Sequence, residues 1–388
     1  MHELALVGCP SAGKSTFFKA ATLKDAKIAP YPFTTVQPDK GTAFVTTKCP
    51  CAEFGKSCNN CIEGTRFVPI LLWDIVGLVP DAHKGRGRGI AFLDDIRQAQ
   101  ALLHIIDASG KTNLEGNPSE GFDPFLAVQM LEKEISWWLV NIFKKLHARK
   151  HAKEPFIMAV ERQFSGLGIS TDTIKKAAEI SNLDEDGYMS WSDGQIFSFV
   201  NELRRLSKPS LIVANKADIP EAEENIRHMQ EIEGSVVIPA SADYELALRE
   251  AAKAGIIKYL PGSPSFEILK ENSLTAKQKS ALKRISDFLR EHKSTGVQPA
   301  LNKAAFGLLN LIVVYPVADA HKLSDSKGRI LPDAFLLRRG ATAKDLAFAV
   351  HEDIGKKFIS AIDARTGLAL SSHEPLKDGS IVSIKAGR

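Results

Sequence analysis

The segment from Gly8 to Ser15 reads Gly-Cys-Pro-Ser-Ala-Gly-Lys-Ser and matches the G-x-x-x-x-G-K-[ST] pattern of phosphate-binding loops. In such loops backbone N–H groups converge on phosphate oxygens, the lysine reaches the β and γ phosphates, and the last hydroxyl joins a Mg²⁺ shell. The apolar run before it predicts a strand, and the residues after it predict a helix. We therefore expect nucleotide contacts from a set of loop residues and a catalytic role for its lysine: Gly8, Ser11, Ala12, Gly13, Lys14, Ser15 and Thr16.

A second apolar run ends in the D-x-x-G sequence Asp74-Ile-Val-Gly77. An aspartate at a strand end is placed to hold Mg²⁺ through water, and the glycine N–H is placed to contact a γ-phosphate. Between the two elements lies Tyr31-Pro-Phe-Thr-Thr35, where a threonine hydroxyl would join the metal only while the γ-phosphate is present. We predict Thr35 as that ligand, with Thr34 as the alternative.

A third apolar strand ends in the N-K-x-D sequence Asn215-Lys216-Ala-Asp218. A carboxylate at its last position accepts hydrogen bonds from N1–H and the exocyclic amine of guanine, two donors that adenine lacks. The sequence therefore predicts GTP rather than ATP as the ligand. A further strand then leads into Ser241-Ala242, where we expect a backbone N–H group to contact the guanine carbonyl.

Four such elements in this order are typical of a P-loop GTPase. Residues 31–35, 74–89 and 92–97 resemble the Obg/YchF group of translation-associated GTPases, and the archaeal YchF-like type most closely. The resemblance covers most of the chain and implies hydrolysis of GTP to GDP and association with the ribosome and its rRNA. Two departures matter: Ser11 stands where YchF proteins commonly have asparagine, and Asp218 is intact where many relatives lose it and prefer ATP.

Leu78 follows the D-x-x-G sequence, at a position where many GTPases place a glutamine that orients the attacking water. A leucine side chain has no hydrogen-bonding atoms, so another group must hold the water. The same replacement marks the Obg/YchF family, and the resemblance implies His83 as the substitute. A neutral imidazole both accepts from and donates to water. A solvated loop histidine is the alternative interpretation.

Four of the five cysteines fall into two close pairs within a short insertion, Cys49-Pro-Cys51 and Cys58-Asn-Asn-Cys61. Two such pairs joined by a short loop surround one tetrahedral Zn²⁺ with four thiolates. We predict a structural zinc site that provides rigidity or docking, because a closed ligand set leaves no position for catalysis. Free thiols or a redox pair are the alternative.

The chain has 388 residues, of which 44% are hydrophobic and 25% are charged, with a formal net charge of +4. These values are typical of a soluble globular protein with two or three domains. No run reaches the about 18 apolar residues of a membrane span, and the first strand begins close to Met1, so we expect a cytoplasmic protein without a membrane partner. The mildly basic charge permits RNA contact. We expect a monomer and no DNA partner.

We predict an α/β fold with four segments. A G domain with a mostly parallel sheet spans 1–120 and 205–262 and carries the cysteine knuckle at 49–61. A helical insertion spans 121–204, because apolar residues recur at helical spacing from 131 to 146, with helices at 169–180 and 196–206 as candidates to pair with it. Its basic run at 144–153 is either a solvated helix end or a site of rRNA phosphate contact. A connector spans 263–305, with a helix capped at Thr275.

The last segment, 306–388, is predicted to be a small β-grasp domain. Strands at 311–315, 334–337 and 381–384 surround a helix predicted at 343–358, and the segment is similar to TGS domains. We interpret His351 as a helix cap or a surface residue rather than a catalytic base. Three functions stay open at this point: a GTP-hydrolysing, ribosome-associated regulator, an ATPase of the same family, and an RNA- or ribosome-binding scaffold with a structural nucleotide.

Overall fold

The computed structural model describes residues 1–23, 39–86, 95–147, 154–232 and 236–387. Thr34, Thr35 and residues 148–153 of the basic run lie outside these ranges. The chain divides into a larger compact unit, Glu3–Thr42 with Leu71–Ala300, and a smaller one, Met1–His2 with Ala43–Ile70 and Leu301–Arg388. The cysteine knuckle, which the sequence analysis placed with the G domain, therefore shares a compact unit with the C-terminal segment.

A seven-stranded sheet has the strand order β2–β4–β1–β5–β6–β7, with β3 paired to β4. Five neighbouring strands of this sheet run parallel to one another, in the order β4, β1, β5, β6 and β7. The central strand β5 is buried at every position, as in a parallel sheet covered on both faces. This arrangement confirms the predicted mostly parallel sheet. The strand bounds are β1 Glu3–Val7, β2 Asp39–Lys48, β3 Cys61–Ile62, β4 Thr65–Asp74, β5 Ala101–Asp107, β6 Ser210–Asn215 and β7 Val237–Pro239.

Helix α1, Lys14–Thr22, follows β1. A bundle of four further helices lies between β5 and β6 in the sequence. The long helix and both predicted partners are confirmed, while Phe156–Phe164 forms an additional helix. Buried aromatic rings fill the bundle core, where Phe143 stacks on Trp191 with ring centroids 5.7 Å apart. The bundle helices are α2 Phe125–His147, α3 Phe156–Phe164, α4 Thr171–Ser181 and α5 Asp193–Ser207.

Four further helices and a short hairpin complete the sequence up to residue 302. The predicted cap is confirmed: the Thr275 hydroxyl accepts from the Gln278 N–H, and the Gln278 side chain accepts from the Thr275 N–H. No helix within the described residues has both the length and the apolar character that crossing a bilayer demands. The elements are α6 Ala222–Glu231, α7 Ala242–Lys253, β8 Ile257–Lys258, β9 Glu267–Ile268, α8 Ala276–His292 and α9 Val297–Asn302.

The smaller unit contains a five-stranded sheet with the order β11–β10–β14–β12–β13. Its inner face packs Ile312, Val314 and Val382 against Leu346 of the covering helix, as expected for a β-grasp core. The strands are β10 Leu311–Val317, β11 Phe335–Arg338, β12 Phe358–Asp363, β13 Ala369–Leu370 and β14 Ile381–Ala386, and the helices are α10 Ala343–Val350 and α11 Glu352–Lys356.

The predicted helix over 343–358 was too long. It breaks at His351, whose backbone is extended and whose Nδ1 accepts from the Asp353 N–H, so this histidine caps the second helix as expected. Phe358 already belongs to β12, and the pattern-based prediction missed both β12 and β13. The helical periodicity of this segment continues through the break, which explains why the break was not predicted.

Candidate functional site

The phosphate-binding loop connects β1 to α1 and needs both of its glycines. Gly8 has a φ of 144°, and a Cβ there would lie 2.1 Å from the Ile105 carbonyl oxygen; Gly13 has a φ of 94°, and a Cβ there would lie 2.2 Å from Asn215 Nδ2. Ser11 also has a positive φ, of 62°. Asparagine adopts a positive φ more readily than serine does. The chain therefore differs from the YchF pattern at a position whose backbone conformation favours asparagine.

Lys14 is buried at the first position of α1, with Thr16 two residues further along the same helix. Its ammonium group donates to the carbonyl oxygens of Gly8, at 3.2 Å, and Cys9, at 2.8 Å. Burial lowers the pKa of Lys14, an effect that the nearby Asp74 opposes. The lysine is therefore held over the loop, where its charge would meet phosphate oxygens.

Ser15 and Asp74 come together beside this loop. The Ser15 hydroxyl donates to Asp74 Oδ2 over 2.6 Å, and Asp74 ends β4 as predicted. Within the described residues, Asp74 Oδ1 is buried and has no hydrogen-bond partner. Burial raises the pKa of the Asp74 carboxyl group, while the Ser15 hydroxyl and the charge of Lys14 oppose that shift. A hydroxyl and a carboxylate with an unused oxygen fit Mg²⁺, which prefers hard oxygen ligands.

The D-x-x-G sequence runs directly past the phosphate loop. A Cβ on Gly77 would lie 2.8 Å from the Pro10 backbone nitrogen, so only glycine fits this approach. The Leu78 N–H donates to the Gly8 carbonyl oxygen over 3.1 Å, and the Leu78 side chain is 1% exposed. Leu78 therefore packs into the core and orients no water.

His83 lies in a 3₁₀ turn, Ala82–Lys84, that rests on helix α2. Its Nδ1 is 2.6 Å from Glu134 Oε2, and its ring stacks on Trp137 with centroids 6.0 Å apart. Its side chain is 13% exposed. The ring is thus packed against helix α2 rather than freely solvated.

Asn215, at the end of β6, joins two of the predicted loops. Its amide donates to the Ala12 carbonyl oxygen over 2.9 Å, and its Oδ1 accepts from the Ala242 N–H over 3.1 Å. The next residue, Lys216, forms an ion pair of 2.8 Å with Asp107 at the end of β5. These contacts hold the N-K-x-D loop beside the phosphate loop.

Asp218 borders an open cavity of about 690 Å³ that is also lined by Tyr244 and by Arg284 and Phe288 of helix α8. Ser241, which caps helix α7, contributes no free N–H, since that group donates to the Thr295 carbonyl oxygen over 2.9 Å. The Ala242 N–H is engaged with Asn215, so both predicted donors to the guanine carbonyl have protein acceptors in this structure. The connector helix α8 therefore lines the same cavity as Asp218, which the sequence motifs did not indicate.

The four clustered cysteines converge in the smaller unit. Their sulfur atoms all lie within 4.8 Å of one another, with separations of 3.7 Å for Cys49 to Cys58, 3.7 Å for Cys51 to Cys61 and 3.5 Å for Cys58 to Cys61. A tetrahedral Zn²⁺ with Zn–S bonds of about 2.3 Å places its sulfur ligands ~3.8 Å apart. The donor set and its dimensions therefore fit one zinc ion.

The thiols of this cluster differ in acidity. Burial raises the pKa of the Cys49 thiol. Burial also acts on Cys58, but hydrogen bonds from the Asn60 N–H and from the neighbouring thiols outweigh it and lower the pKa of Cys58 to about 7. The cluster thus already favours a thiolate at one of its four positions, as metal binding requires.

Three family models match the chain. They are the 50S ribosome-binding GTPase over residues 3–141, the G4 motif-containing domain of the Obg-like GTPase YGR210-like over 213–319, and the TGS domain over 327–386. A GTP-binding protein of Methanocaldococcus jannaschii is 46% identical over 393 residues, which cover 99% of each chain. The chain belongs to the Obg/YchF-type family of GTP-binding proteins.

Two further comparisons agree with this assignment. A GTP-binding protein of Schizosaccharomyces pombe is 36% identical and matches across 88% of each chain. The crystal structure of a GTP binding protein from Pyrococcus horikoshii OT3 superposes with a TM-score of 0.77 at 36% identity, covering 99% of this chain and 100% of that one. The predicted family, α/β fold class and TGS domain are therefore confirmed, and membership of this GTPase family implies a guanine nucleotide and, usually, Mg²⁺.

Two residues of this Obg/YchF-type GTPase carry contacts at the site that the motifs did not indicate. Glu134 holds the turn containing His83, and Asp107 pairs with Lys216 while accepting from the Thr112 hydroxyl over 2.8 Å. Asp107 ends an apolar strand, which is a sequence signal for a residue at the active edge of a parallel sheet. Glu134 sits among apolar positions on the buried side of α2, and a carboxylate on such a face is a signal that can be sought in other sequences.

Proposed function

We propose that this protein is a GTP-hydrolysing switch whose phosphate and base loops act as one site. The observation that carries this proposal is the meeting of the Ser15 hydroxyl and the Asp74 carboxylate at 2.6 Å beside the buried Lys14. Lys14 would stabilise charge on the β and γ phosphates, and the loop N–H groups between Gly8 and Thr16 would bind their oxygens. Asp218 would select guanine by accepting its two donors.

Ser15 and Asp74 would hold Mg²⁺, with Thr35 as a further ligand in the GTP-bound state. Magnesium supplies neutralisation of the phosphate charge when it is bound. The unused, buried Asp74 Oδ1 supports this assignment, because an unsatisfied carboxylate oxygen costs free energy unless a partner binds. The Gly77 N–H would sense the γ-phosphate at the point where this segment passes Pro10.

His83 would orient the attacking water in place of the glutamine that Leu78 replaces. Its ring is held in place rather than solvated, which lowers the entropic cost of positioning a water molecule. A histidine in this role acts mainly in the transition state, so it raises the hydrolysis rate more than the affinity for GTP.

The cysteine cluster would hold one structural Zn²⁺ that fixes the knuckle within the smaller unit. The knuckle is tied there by polar contacts to the C-terminal segment: Lys56 Nζ donates to the Lys322 carbonyl oxygen over 2.7 Å, and Glu53 pairs with Arg365 over 2.6 Å. Four thiolates would close the metal shell, so the ion supports structure and takes no part in GTP chemistry.

The partner is proposed to be the ribosome and its rRNA, in the cytoplasm and with the protein as a monomer. Support comes from the match of residues 3–141 to a family described as 50S ribosome-binding GTPases and from the TGS domain at 327–386. Lys145, in the last turn of helix α2, adds positive charge at that end of the helix, while Lys144 beside it pairs with Asp193 over 2.7 Å. No DNA or membrane partner is proposed.

The test combines hydrolysis and binding. We expect single-turnover hydrolysis with GTP but little with ATP, and we expect co-sedimentation with ribosomes to be stronger with a non-hydrolysable GTP analogue than with GDP. Preferred hydrolysis of ATP would assign the protein to the ATPases of its family. If the protein binds ribosomes equally with either nucleotide and hydrolyses none, it is instead a scaffold with a structural nucleotide.

A further inference from the structure

A single carboxylate holds the turn that presents His83. Glu134 Oε1 accepts from the Asp81 N–H over 2.8 Å, and Glu134 Oε2 accepts from the His83 N–H over 2.9 Å and lies 2.6 Å from His83 Nδ1. Three contacts therefore join one side chain of the helical bundle to the turn. We propose that Glu134 is the positioning residue of His83, a proposal that rests on the proposed role of His83 in hydrolysis.

The contacts determine which ring nitrogen of His83 carries the proton and which remains an acceptor. An ionised carboxylate only accepts hydrogen bonds, so His83 Nδ1 must carry the proton that lies between it and Glu134. In the neutral ring, Nε2 is then the acceptor, and it lies on the opposite side of the imidazole. This tautomer suits a group that accepts a hydrogen bond from the attacking water.

Trp137 fixes the plane of the ring. It lies one turn after Glu134 on helix α2, and its indole stacks on the His83 imidazole at an interplanar angle of 21°. Residues three apart on a helix project from the same face, so this helix provides both the acceptor and the stacking surface. An acceptor on one ring nitrogen and a stacked aromatic ring leave the imidazole little rotational freedom.

The cost of burial supports a dedicated role for Glu134. Its side chain is 6% exposed, and burying a carboxylate is unfavourable unless hydrogen bonds compensate for the lost water. Among the described residues, the three donors to Glu134 come from residues 81 and 83. The acid is thus satisfied by the turn that it positions, which is how acids that orient catalytic histidines are arranged.

The test compares Glu134→Gln and Glu134→Ala with Glu132→Gln. Glu132 lies on the same helix, is half-exposed and pairs with Arg204 over 3.6 Å, so Glu132→Gln is a control that weakens the bundle at a point away from the turn. Glutamine keeps the shape of the side chain but offers one acceptor oxygen to three N–H donors. We expect both Glu134 variants to slow single-turnover GTP hydrolysis by roughly tenfold or more with GTP affinity within about twofold of the parent, and the control to match the parent.

Two further measurements distinguish positioning from a general structural role. Combined with His83→Ala, Glu134→Gln should slow hydrolysis by less than about twofold more, because residues that act as one unit are not additive. Nitrogen-15 NMR of the parent protein with labelled histidines, with the His83 signals identified by their loss in His83→Ala, should show the Nδ1–H tautomer. This measurement needs no Glu134 variant to fold.

The outcomes separate the two proposals. If both Glu134 variants hydrolyse GTP at the parent rate while His83→Ala is slow, the positioning role of Glu134 is overturned and the proposed function stands. Observation of the Nε2–H tautomer in the parent would also overturn it. A parent rate in His83→Ala itself would instead refute the catalytic role of His83, on which the proposal depends.

Discussion

The side-chain amide of Asn215 donates to the Ala12 carbonyl oxygen over 2.9 Å, across 203 positions of sequence. The same side chain accepts from the Ala242 N–H, and it lies so close to Gly13 that no Cβ fits there. The phosphate loop and the base loop are therefore joined by one side chain, at the ends of two strands of the same sheet. A change at Gly13 or Asn215 should disturb phosphate binding and base binding together.

Asp218→Asn should weaken GTP binding by roughly 2–4 kcal/mol, because asparagine keeps one acceptor oxygen and sets an amide donor against the second guanine donor. The affinity for xanthosine triphosphate should rise in the same variant, since xanthine presents a carbonyl where guanine has its amine. Competition binding with GTP, ATP and xanthosine triphosphate measures both changes. Equal GTP affinity in the variant and the parent would refute the role of Asp218.

His83→Ala should lower the hydrolysis rate about tenfold or more and leave the GTP affinity nearly unchanged, because a group that orients water acts mainly in the transition state. Single-turnover hydrolysis measured with and without ribosomes tests this, since a partner can also order the turn. Lys84→Ala is a suitable control, as its exposed ammonium group contacts only Asp81 among the described residues. If His83→Ala keeps the parent rate in both conditions, the water is held by other groups.

Asp74→Asn should stabilise the nucleotide-free protein at neutral pH. Burial raises the pKa of Asp74 above its ordinary value of 3.8, so the folded state favours the protonated acid. The stability that Asp74 contributes is then present below the ordinary pKa and is lost as the pH rises through the raised pKa of the folded state. An asparagine stays neutral, so the gain over the parent should be largest at pH 7 and should vanish near pH 4.

Thermal unfolding in EDTA at several pH values measures this effect, and each kcal/mol of gain corresponds to roughly 2–4 °C in Tm for a domain of this size. Asp186→Asn, a change at an exposed acid, should give no such pH-dependent difference. The same Asp74 variant should lose most of the Mg²⁺-dependent part of its nucleotide affinity. A lower Tm than the parent at pH 7, or intact magnesium dependence, would contradict the assignment.

Metal analysis of the purified protein should find about one Zn²⁺ per chain, and the double variant Cys58→Ser with Cys61→Ser should lose it. GTP affinity should be largely kept, because the cluster lies outside the nucleotide loops. Cys9→Ser serves as the control for metal content, since Cys9 lies in the phosphate loop and outside the cluster. Metal-free parent protein with four freely titratable cluster thiols would refute the zinc site.

The nucleotide loops could be predicted from the sequence because each is a contiguous run whose chemistry depends on local spacing. Asp74 at the end of β4 and the apolar strands before each loop follow from the same local patterns. Glu134 could not be identified in this way, because its partners lie 51 and 53 positions earlier and nothing in its own helix indicates them.

The same limit applies to the knuckle and to the C-terminal segment. Spacing alone places the four thiols near one another, but the contact of Lys56 with Lys322 spans 266 positions and depends on tertiary structure. The break at His351 was missed for the opposite reason. There a local hydrogen bond from the Asp353 N–H restarts the helix, although the apolar periodicity continues unchanged.

The smaller unit combines segments from distant parts of the chain, and these segments are synthesised at different times. Residues 43–70 leave the ribosome well before 301–388, the segment with which they form one compact unit. At a synthesis rate of about 5–20 residues per second, the roughly 230 intervening residues take on the order of 10–50 seconds to make. During that interval the knuckle lacks the contacts that Lys56 and Glu53 make with the C-terminal segment. Early capture of a metal ion by its cysteines would keep this segment ordered until its partner is synthesised.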